Sequence, residues 1–312
     1  MPTQYAYFEK QFMPLAEAKI GVMTHAFNYG TAVFEGIRGN WNADDGQLYL
    51  FRMREHFERF SRSCRILKID LPYTIDEYCD LTLKLAEMCG YEEDVYIRPL
   101  GYKAGQVVGV KLHGIEDDFL VFVTPFGPYL DVEEGARCGT VAWRRVDDTM
   151  IPARAKVTGI YVNSALAKTE AIENGYDEAI QLNANGTVSE GSGENIFIIY
   201  RNQLITPSAS DNILVGITRE TAMTLAHDEL GLETLERSVA RTELYVADEC
   251  FMTGTAAHVT PVVEVDHRKV GDGKMGPITA KLQRLYFDAI QGRLPKYKHW
   301  CTPAYAKTKV RA

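Results

Sequence analysis

Ile151–Asn195, IPARAKVTGIYVNSALAKTEAIENGYDEAIQLNANGTVSEGSGEN, carries more chemistry than any other stretch of this 312-residue chain. Lys156 precedes a bend-prone Thr158-Gly159, Tyr161 follows the lysine by five residues, and Glu190 and Glu194 flank a glycine-rich turn at Gly191 and Gly193. Its pattern also sets the fold class. A helix is predicted over Asn163–Asn174, stopped by Gly175, and a strand over Glu178–Ala184. Asn185-Gly186 then predicts a tight hairpin, because both residues tolerate positive φ, returning the chain through Thr187–Glu190. Asn195–Tyr200 reads as a buried strand.

Working outward, Tyr5–Leu15, Thr31–Arg38 and Gln47–Phe51 alternate in the manner of strands. Arg54–Ile69 and Ile75–Met88 recur at helical spacing, the second closed by Gly90. Val95–Leu100 and Phe119–Thr124 are apolar enough for central strands. Two prolines and a glycine in PFGPYL, Pro125–Leu130, break the pattern. The expected division is therefore a smaller domain over 1–126, a linker over 127–134 and a larger domain over 135–312. The larger domain continues with strands at Gly139–Arg144 and Leu244–Thr253 and helices at Thr218–Leu230 and Ile278–Gln291. Strands and helices mix without a regular βαβ beat, so the fold class is α+β rather than a doubly wound sheet.

Composition excludes several function classes. A net charge of -8 repels a nucleic-acid backbone, and no apolar run is long enough to span a bilayer. The N-terminus lacks the regions of a signal peptide, so a cytoplasmic protein is expected. Six cysteines without a CxxC read as reduced thiols, and seven histidines show no ligand spacing, so no metal is expected.

The chemistry starts from Lys156. A free lysine has a pKa of about 10.4 and must be desolvated, or placed beside another cation, to become nucleophilic near neutrality. Lys168, its rival, falls on the polar side of the predicted helix. A five-residue interval sends Lys156 and Tyr161 apart on a strand or helix, and a bend at Gly159 would let both meet one ligand. Taken singly, Lys156 reads as readily as a surface lysine, and Glu190 as a solvated turn glutamate. Thr218 is expected to cap a helix whose N-terminus could take a phosphate. The Gly254, Thr255 and Ala256 turn offers a second anion cup. Arg59 could supply a bidentate cation, although Arg54, Arg59, Arg62 and Arg65 also read as one basic face. A lysine, a carboxylate, a tyrosine and a phosphate cup are the parts that hold pyridoxal 5'-phosphate.

Six motifs occur in order: HAFNYGTAVFEGIR, EHFERF, YIRPL, SEGSGENIF, GITRE and FMTGTAA. Over nearly the whole chain they resemble the class IV, or fold type IV, aminotransferases, most closely the branched-chain amino acid branch of that family. The resemblance implies two α/β domains with the cofactor in the cleft between them, and an assembly that is at least a homodimer. It implies that Lys156 is the Schiff-base lysine, that Tyr161 meets the ring oxygen and that Glu190 pairs with the pyridine nitrogen. Glu194 would support from behind, and Arg59, Ile217, Thr218 and Thr255 would hold the phosphate. Substrate would meet Phe34, Gly36, Arg38, Tyr96, Arg98, Tyr129, Gly254, Ala256 and Ala257, with Tyr29 and Val110 contributed across a dimer. Small amino and 2-oxo acids would be its partners, in ping-pong transfer from leucine, isoleucine or valine to 2-oxoglutarate. Arg98 would take the distal carboxylate of glutamate, and Lys156 would move the proton as general acid and base. The chain departs from the family at Phe126-Gly127, where Trp is common, and at His258, where Glu is common. A D-amino acid or (R)-amine aminotransferase, or an aminodeoxychorismate lyase, is the alternative on the same fold. Tyr96–Arg98 and Val107–Val110 lean against it.

Overall fold

The computed structural model describes residues 4–127, 130 and 133–306. They form two compact units, each with its own sheet. The first takes Met1–Gly127, Ala155–Gly159 and Asp288–Ala312; the second takes Pro128–Arg154 and Ile160–Phe287. Thus the C-terminal segment leaves the contiguous 135–312 block expected from sequence. The reason is strand pairing: Cys301–Pro303 lies antiparallel to Gln47–Phe51 in the first sheet, with Cys301 opposite Phe51. Val157 likewise forms an antiparallel bridge to Val33. Within the expected linker, residues 128, 129, 131 and 132 fall outside the described set, and Tyr129 with them.

The first unit's sheet has eight strands among the described residues. Cys301–Pro303, Gln47–Phe51, Ile37–Asn42, Val95–Lys103, Asp117–Pro125, Tyr5–Phe8 and Gln11–Pro14 run in that order, and Ala32–Phe34 pairs with Val95–Lys103. Every pairing is antiparallel. Period two sorts its faces: Val95, Ile97, Val121 and Val123 are buried, whereas Tyr96 and Arg98 turn to the other side. The helix Met53–Ile66 buries Phe57, Phe60 and Cys64 at helical spacing. The helix Ile75–Cys89 starts at a capping box between Thr74 and Glu77 and stops at Gly90, which is left-handed at φ 60°. Tyr78 joins the two helices to the sheet, its ring 5.2 Å from Phe57 and 4.8 Å from Phe119. Burying each such ring contributes about 1.5–3 kcal/mol.

The second unit's sheet has nine strands among the described residues. Their order is Val188–Gly191, Glu178–Leu182, Ala136–Thr140, His258–Val265, Glu249–Gly254, Asn195–Tyr200, Gln203–Thr206 and Thr234–Glu236, with Arg268–Lys269 on His258–Val265. Ala136–Thr140 runs parallel to both of its neighbours. A parallel pair needs a crossover, and the helix Tyr161–Glu173 lies in the connection between Ala136–Thr140 and Glu178–Leu182. Phe197 and Phe251 stack at 4.8 Å and 5° between adjacent strands of this sheet.

Four expectations shift. The Gly139–Arg144 strand forms earlier, at Ala136–Thr140. Leu244 belongs to a 3-10 turn, Arg241–Tyr245, and only Glu249–Gly254 is strand, because Glu243 turns back to accept from the Ala240 N–H at 2.8 Å. Thr31–Arg38 is two strands broken at Glu35-Gly36. The Asn185-Gly186 turn is not a two-residue hairpin. Gly186 alone takes a positive φ, its N–H bonds Asn183 O at 2.9 Å, and Asn185 accepts from the Thr187 N–H at 3.1 Å.

Candidate active site

Lys156 lies on a short rail in the first unit. Phe34 N–H donates to Lys156 O at 3.0 Å, and Lys156 N–H donates to Ser63 Oγ at 3.3 Å. Thr158 Oγ1 donates to Gly30 O at 2.9 Å, and Gly159 N–H reaches the same oxygen at 3.2 Å. Gly30 is required here: its φ is +64°, and a Cβ on it would come 2.9 Å from Gly159 Cα. With Ala155 and Val157 buried on either side, the Lys156 ammonium is directed to the Phe34 ring, 5.0 Å from its centroid. That geometry is not that of a freely solvated surface lysine.

On the sheet face beside Phe34, Arg98 lies 4.4 Å over the Phe34 ring and 5.0 Å over Tyr96, and donates to Tyr96 Oη at 3.2 Å. Arg38 donates Nη2 to Asp94 Oδ2 and to Phe126 O, both at 3.2 Å. Nε and Nη1 of Arg38, and Nε of Arg98, are buried with no hydrogen-bond partner among the described residues. Unsatisfied cationic donors of this kind call for an anion. Gly36 makes room for Tyr96, since a Cβ there would lie 1.9 Å from Tyr96 Oη.

Arg59 is the buried member of its helix, while Arg54, Arg62 and Arg65 are exposed. It holds Glu35 with two charge-assisted bonds, Nε to Oε1 at 2.8 Å and Nη2 to Oε2 at 2.7 Å. His56 Nδ1 reaches Glu35 Oε2 at 2.8 Å. Burial pushes the Glu35 carboxyl up, and the charge and hydrogen bond of Arg59, aided by His56, hold it well below the usual carboxylate range. Burial pushes His56 down, so at neutral pH its ring donates to Glu35 as the uncharged form. Sequence reading missed Glu35 and His56. The available signal was the i, i+3 spacing of His56 and Arg59 on one helix face.

In the second unit, Tyr161 opens its helix. Lys168 is committed to Glu178 at 2.6 Å and to Asp177 O at 2.7 Å, which removes it as a rival to Lys156. Glu190 lies one residue before the end of the edge strand Val188–Gly191 and is buried. Its Oε1 meets Arg145 Nη2 at 2.7 Å, and its Oε2 accepts from Asn195 Nδ2 at 3.1 Å and Leu214 N–H at 3.0 Å. Glu194 accepts from the Gly193 N–H at 3.0 Å, and burial together with the Glu178 charge pushes its carboxyl up to about 8.

Thr218 is not the helix cap. The helix Ile217–Leu230 begins after Gly216, which is extended and makes no side-chain cap bond, so Ile217 and Thr218 form the first turn. First-turn N–H groups lack intrahelical acceptors and present a positive dipole end. A Cβ at Gly216 would meet Asn195 Oδ1 at 2.3 Å, so the glycine lets Asn195 reach Leu214 O at 2.8 Å and Glu190 together. Thr255, Ala256 and Ala257 form the turn between Gly254 and His258, which face each other across neighbouring strands. His258, at a left-handed φ of 57°, packs its ring 5.1 Å from Phe287.

The sequence profile of amino-transferase class IV matches residues 32–265, three quarters of the chain. The chain belongs to the class IV aminotransferases. It is 50% identical over 303 residues, 97% of each chain, to a protein of Aquifex aeolicus (strain VF5) named as a probable branched-chain-amino-acid aminotransferase. Among solved structures it resembles the branched-chain aminotransferase of the thermophilic archaeon Thermoproteus uzoniensis with norvaline: TM-score 0.93, 45% identity, 97% of this chain and 100% of that one. It also resembles the T.th. branched-chain amino acid aminotransferase complexed with N-(5'-phosphopyridoxyl)-L-glutamate: TM-score 0.91, 38% identity, 98% and 100% covered. Among the described residues, no helix is long and apolar enough to cross a membrane.

Proposed function

We propose that the protein is a branched-chain amino acid aminotransferase that uses pyridoxal 5'-phosphate to move the amino group from leucine, isoleucine or valine to 2-oxoglutarate, and back. The observation that carries this reading is the pairing, in one unit, of a lysine held by its own main chain against Phe34 with buried arginine donors that lack partners. The relatives support it, since one carries a phosphopyridoxyl-glutamate adduct and another norvaline.

The residues fit the cofactor. Glu190 offers an acceptor already anchored by Arg145, Asn195 and Leu214, suited to a protonated ring nitrogen. Ile217, Thr218, Thr255 and Arg59 would hold the phosphate, as the family resemblance implies. Tyr161 would hold the ring oxygen. When bound, the cofactor stores the amino group and withdraws electrons from the substrate Cα. Lys156 Nζ takes the proton from Cα and returns it as general base and acid, a role served by its fixed main chain. Phe34, Tyr96 and Tyr129 would wall an apolar side chain, with the small residues Gly36, Gly254, Ala256 and Ala257 leaving it space. Arg38 and Arg98 bind carboxylates through the donors they hold unused. The reading places the protein in the cytoplasm, in keeping with six buried free cysteines. It also takes a homodimer or higher assembly as the active form, Tyr29 and Val110 of one protomer serving the other's pocket.

The test is a donor panel with 2-oxoglutarate. Purified protein should be yellow, and Lys156→Ala should lose the borohydride-reducible adduct. Leucine, isoleucine and valine should react far faster than D-alanine or (R)-1-phenylethylamine. A colourless wild type with added cofactor overturns the enzyme reading; faster (R)-amine turnover shifts it to that substrate class.

A further inference from the structure

Gly109 is gripped at both of its main-chain polar groups. Its N–H donates to Tyr29 Oη at 3.0 Å, and its carbonyl lies 2.7 Å from His25 Nε2. A carbonyl only accepts, so Nε2 carries the proton, and Nδ1 lies 2.7 Å from Thr31 Oγ1. The His25 side chain has no exposed surface, and its ring packs 4.7 Å from Tyr29. Gly109 itself takes φ 140°, a conformation that residues with a side chain rarely adopt. Around this clasp the chain is unusually apolar and exposed: Phe27 is 71%, Val108 85% and Val110 80% accessible. A loop whose outward side chains are so open gains little from packing. The His25 and Tyr29 bonds, with the Thr24–Gln106 bridge, therefore set its shape.

We propose that His25 is a positioning residue for substrate selection, and that it acts in trans: by fixing Gly109 in one protomer it shapes the Val107–Val110 loop presented to the Lys156 site of a second protomer. This rests on the functional reading above, in which Tyr29 and Val110 serve the partner's pocket. His25 touches no reacting atom. Its loss should therefore weaken substrate binding and leave the chemical step intact.

Three variants of the holoenzyme separate these effects. His25→Ala should raise KM for leucine about fivefold, the factor that one net neutral hydrogen bond is worth, with kcat within about twofold. His25→Gln keeps an N–H at the Nε2 position and should restore most of the wild-type KM. Thr31→Val removes only the hydroxyl that orients the ring, and takes the place of His25→Ala if that chain does not fold. The deciding measurement is a tagged hybrid of one His25→Ala chain with one Lys156→Ala chain. Its single working lysine sits on the chain with the broken clasp, while the intact clasp comes from the other chain. A hybrid with wild-type KM supports action in trans; a hybrid with the KM of the His25→Ala homodimer overturns it, as does an unchanged KM in every variant. A wild type without leucine activity would instead overturn the underlying functional reading, and this inference with it.

Discussion

Glu35→Gln tests how the Arg59 side of the site is built. Glu35 is wholly inaccessible and receives three bonds: Arg59 Nε on Oε1, and Arg59 Nη2 and His56 Nδ1 on Oε2, all at 2.7–2.8 Å. Glutamine keeps the shape and removes the charge. One of its two terminal atoms becomes an NH2 group facing a donor, whichever way the amide is turned. Arg59, itself buried, loses the charge of Glu35. Bonds to charged groups are worth about 1.5–3 kcal/mol each, and they overlap because two share one guanidinium. Breaking one partner out of a buried ion pair costs about 3–5 kcal/mol, and that is the loss expected here. In a domain of this size about 3 kcal/mol lowers Tm by roughly 6–12 °C.

The assay is urea and thermal unfolding of wild type, Glu35→Gln, Arg59→Met and the double variant, each without cofactor. The double variant should lose less than the sum of the singles, because once Glu35 is neutral there is no charge for Arg59 to answer. The effect also has a pH signature. Because the folded carboxyl titrates below its unfolded value, its stabilisation is whole at neutral pH and is lost as pH falls below about 4.3. The gap between wild type and Glu35→Gln should narrow accordingly in acid. A loss under about 1 kcal/mol at pH 7, or a strictly additive double variant, would refute the reasoning.

Further outcomes are expected elsewhere. Glu194, pushed up to about 8 by burial and the Glu178 charge, folds protonated but ionises in the unfolded chain above about 4.3, so it withdraws stability as pH rises toward 8. Glu194→Gln should therefore gain on wild type between pH 5 and 8 in chemical unfolding, and a pH-independent difference would contradict this. Gly36→Ala forces a Cβ to within 1.9 Å of Tyr96 Oη, so the phenol must leave its place; leucine KM should rise about tenfold or more with little loss of Tm, as kinetics and calorimetry can check. Gly30→Ala combines a left-handed φ with a 2.9 Å approach to Gly159, and should cost about 1–3 kcal/mol while lowering turnover through the Lys156 rail.

How much of this was legible in the sequence depended on whether the signal was local. The helices at Met53–Ile66 and Ile75–Cys89 were, because apolar spacing and the Thr74 and Gly90 caps all act within a few residues. Hairpins were less so. Asn185-Gly186 looked like the tight turn, but two-residue loops with both φ positive occur at Glu9-Lys10, Arg201-Asn202 and Asp266-His267, where strand register overrides residue preference. Long-range pairing left no local trace at all: nothing in Cys301–Pro303 shows that it will extend the sheet beside Gln47–Phe51. At the site, Lys156 and Glu190 stood out through motif order, whereas Glu35 and Arg145 did not. Their importance lies in which charge each one meets across 24 and 45 residues of chain respectively, as Glu35 meets Arg59 and Arg145 meets Glu190.

The two glutamates of SEGSGEN show what structure adds to such a motif. By spacing alone they are two like carboxylates four residues apart, told apart in the sequence only by the motif resemblance. Both are buried, and two nearby carboxylates in a region of low dielectric do not both ionise without cost. Their surroundings separate them. Arg145 places a positive charge 2.7 Å from Glu190, and Asn195 Nδ2 and the Leu214 N–H add donors to its other oxygen. Glu194 accepts from the Gly193 N–H, and burial together with the negative charge of Glu178 pushes its carboxyl up to about 8. Glu190 thereby meets a cation and two donors, while burial and the Glu178 charge push the Glu194 carboxyl up, an arrangement by which sites assign distinct roles to like residues. The proposed assignment of Glu190 to the ring nitrogen is in keeping with that pairing to Arg145. On that assignment, Arg145→Met should shift the apparent pKa of the bound chromophore where Glu194→Gln leaves it in place.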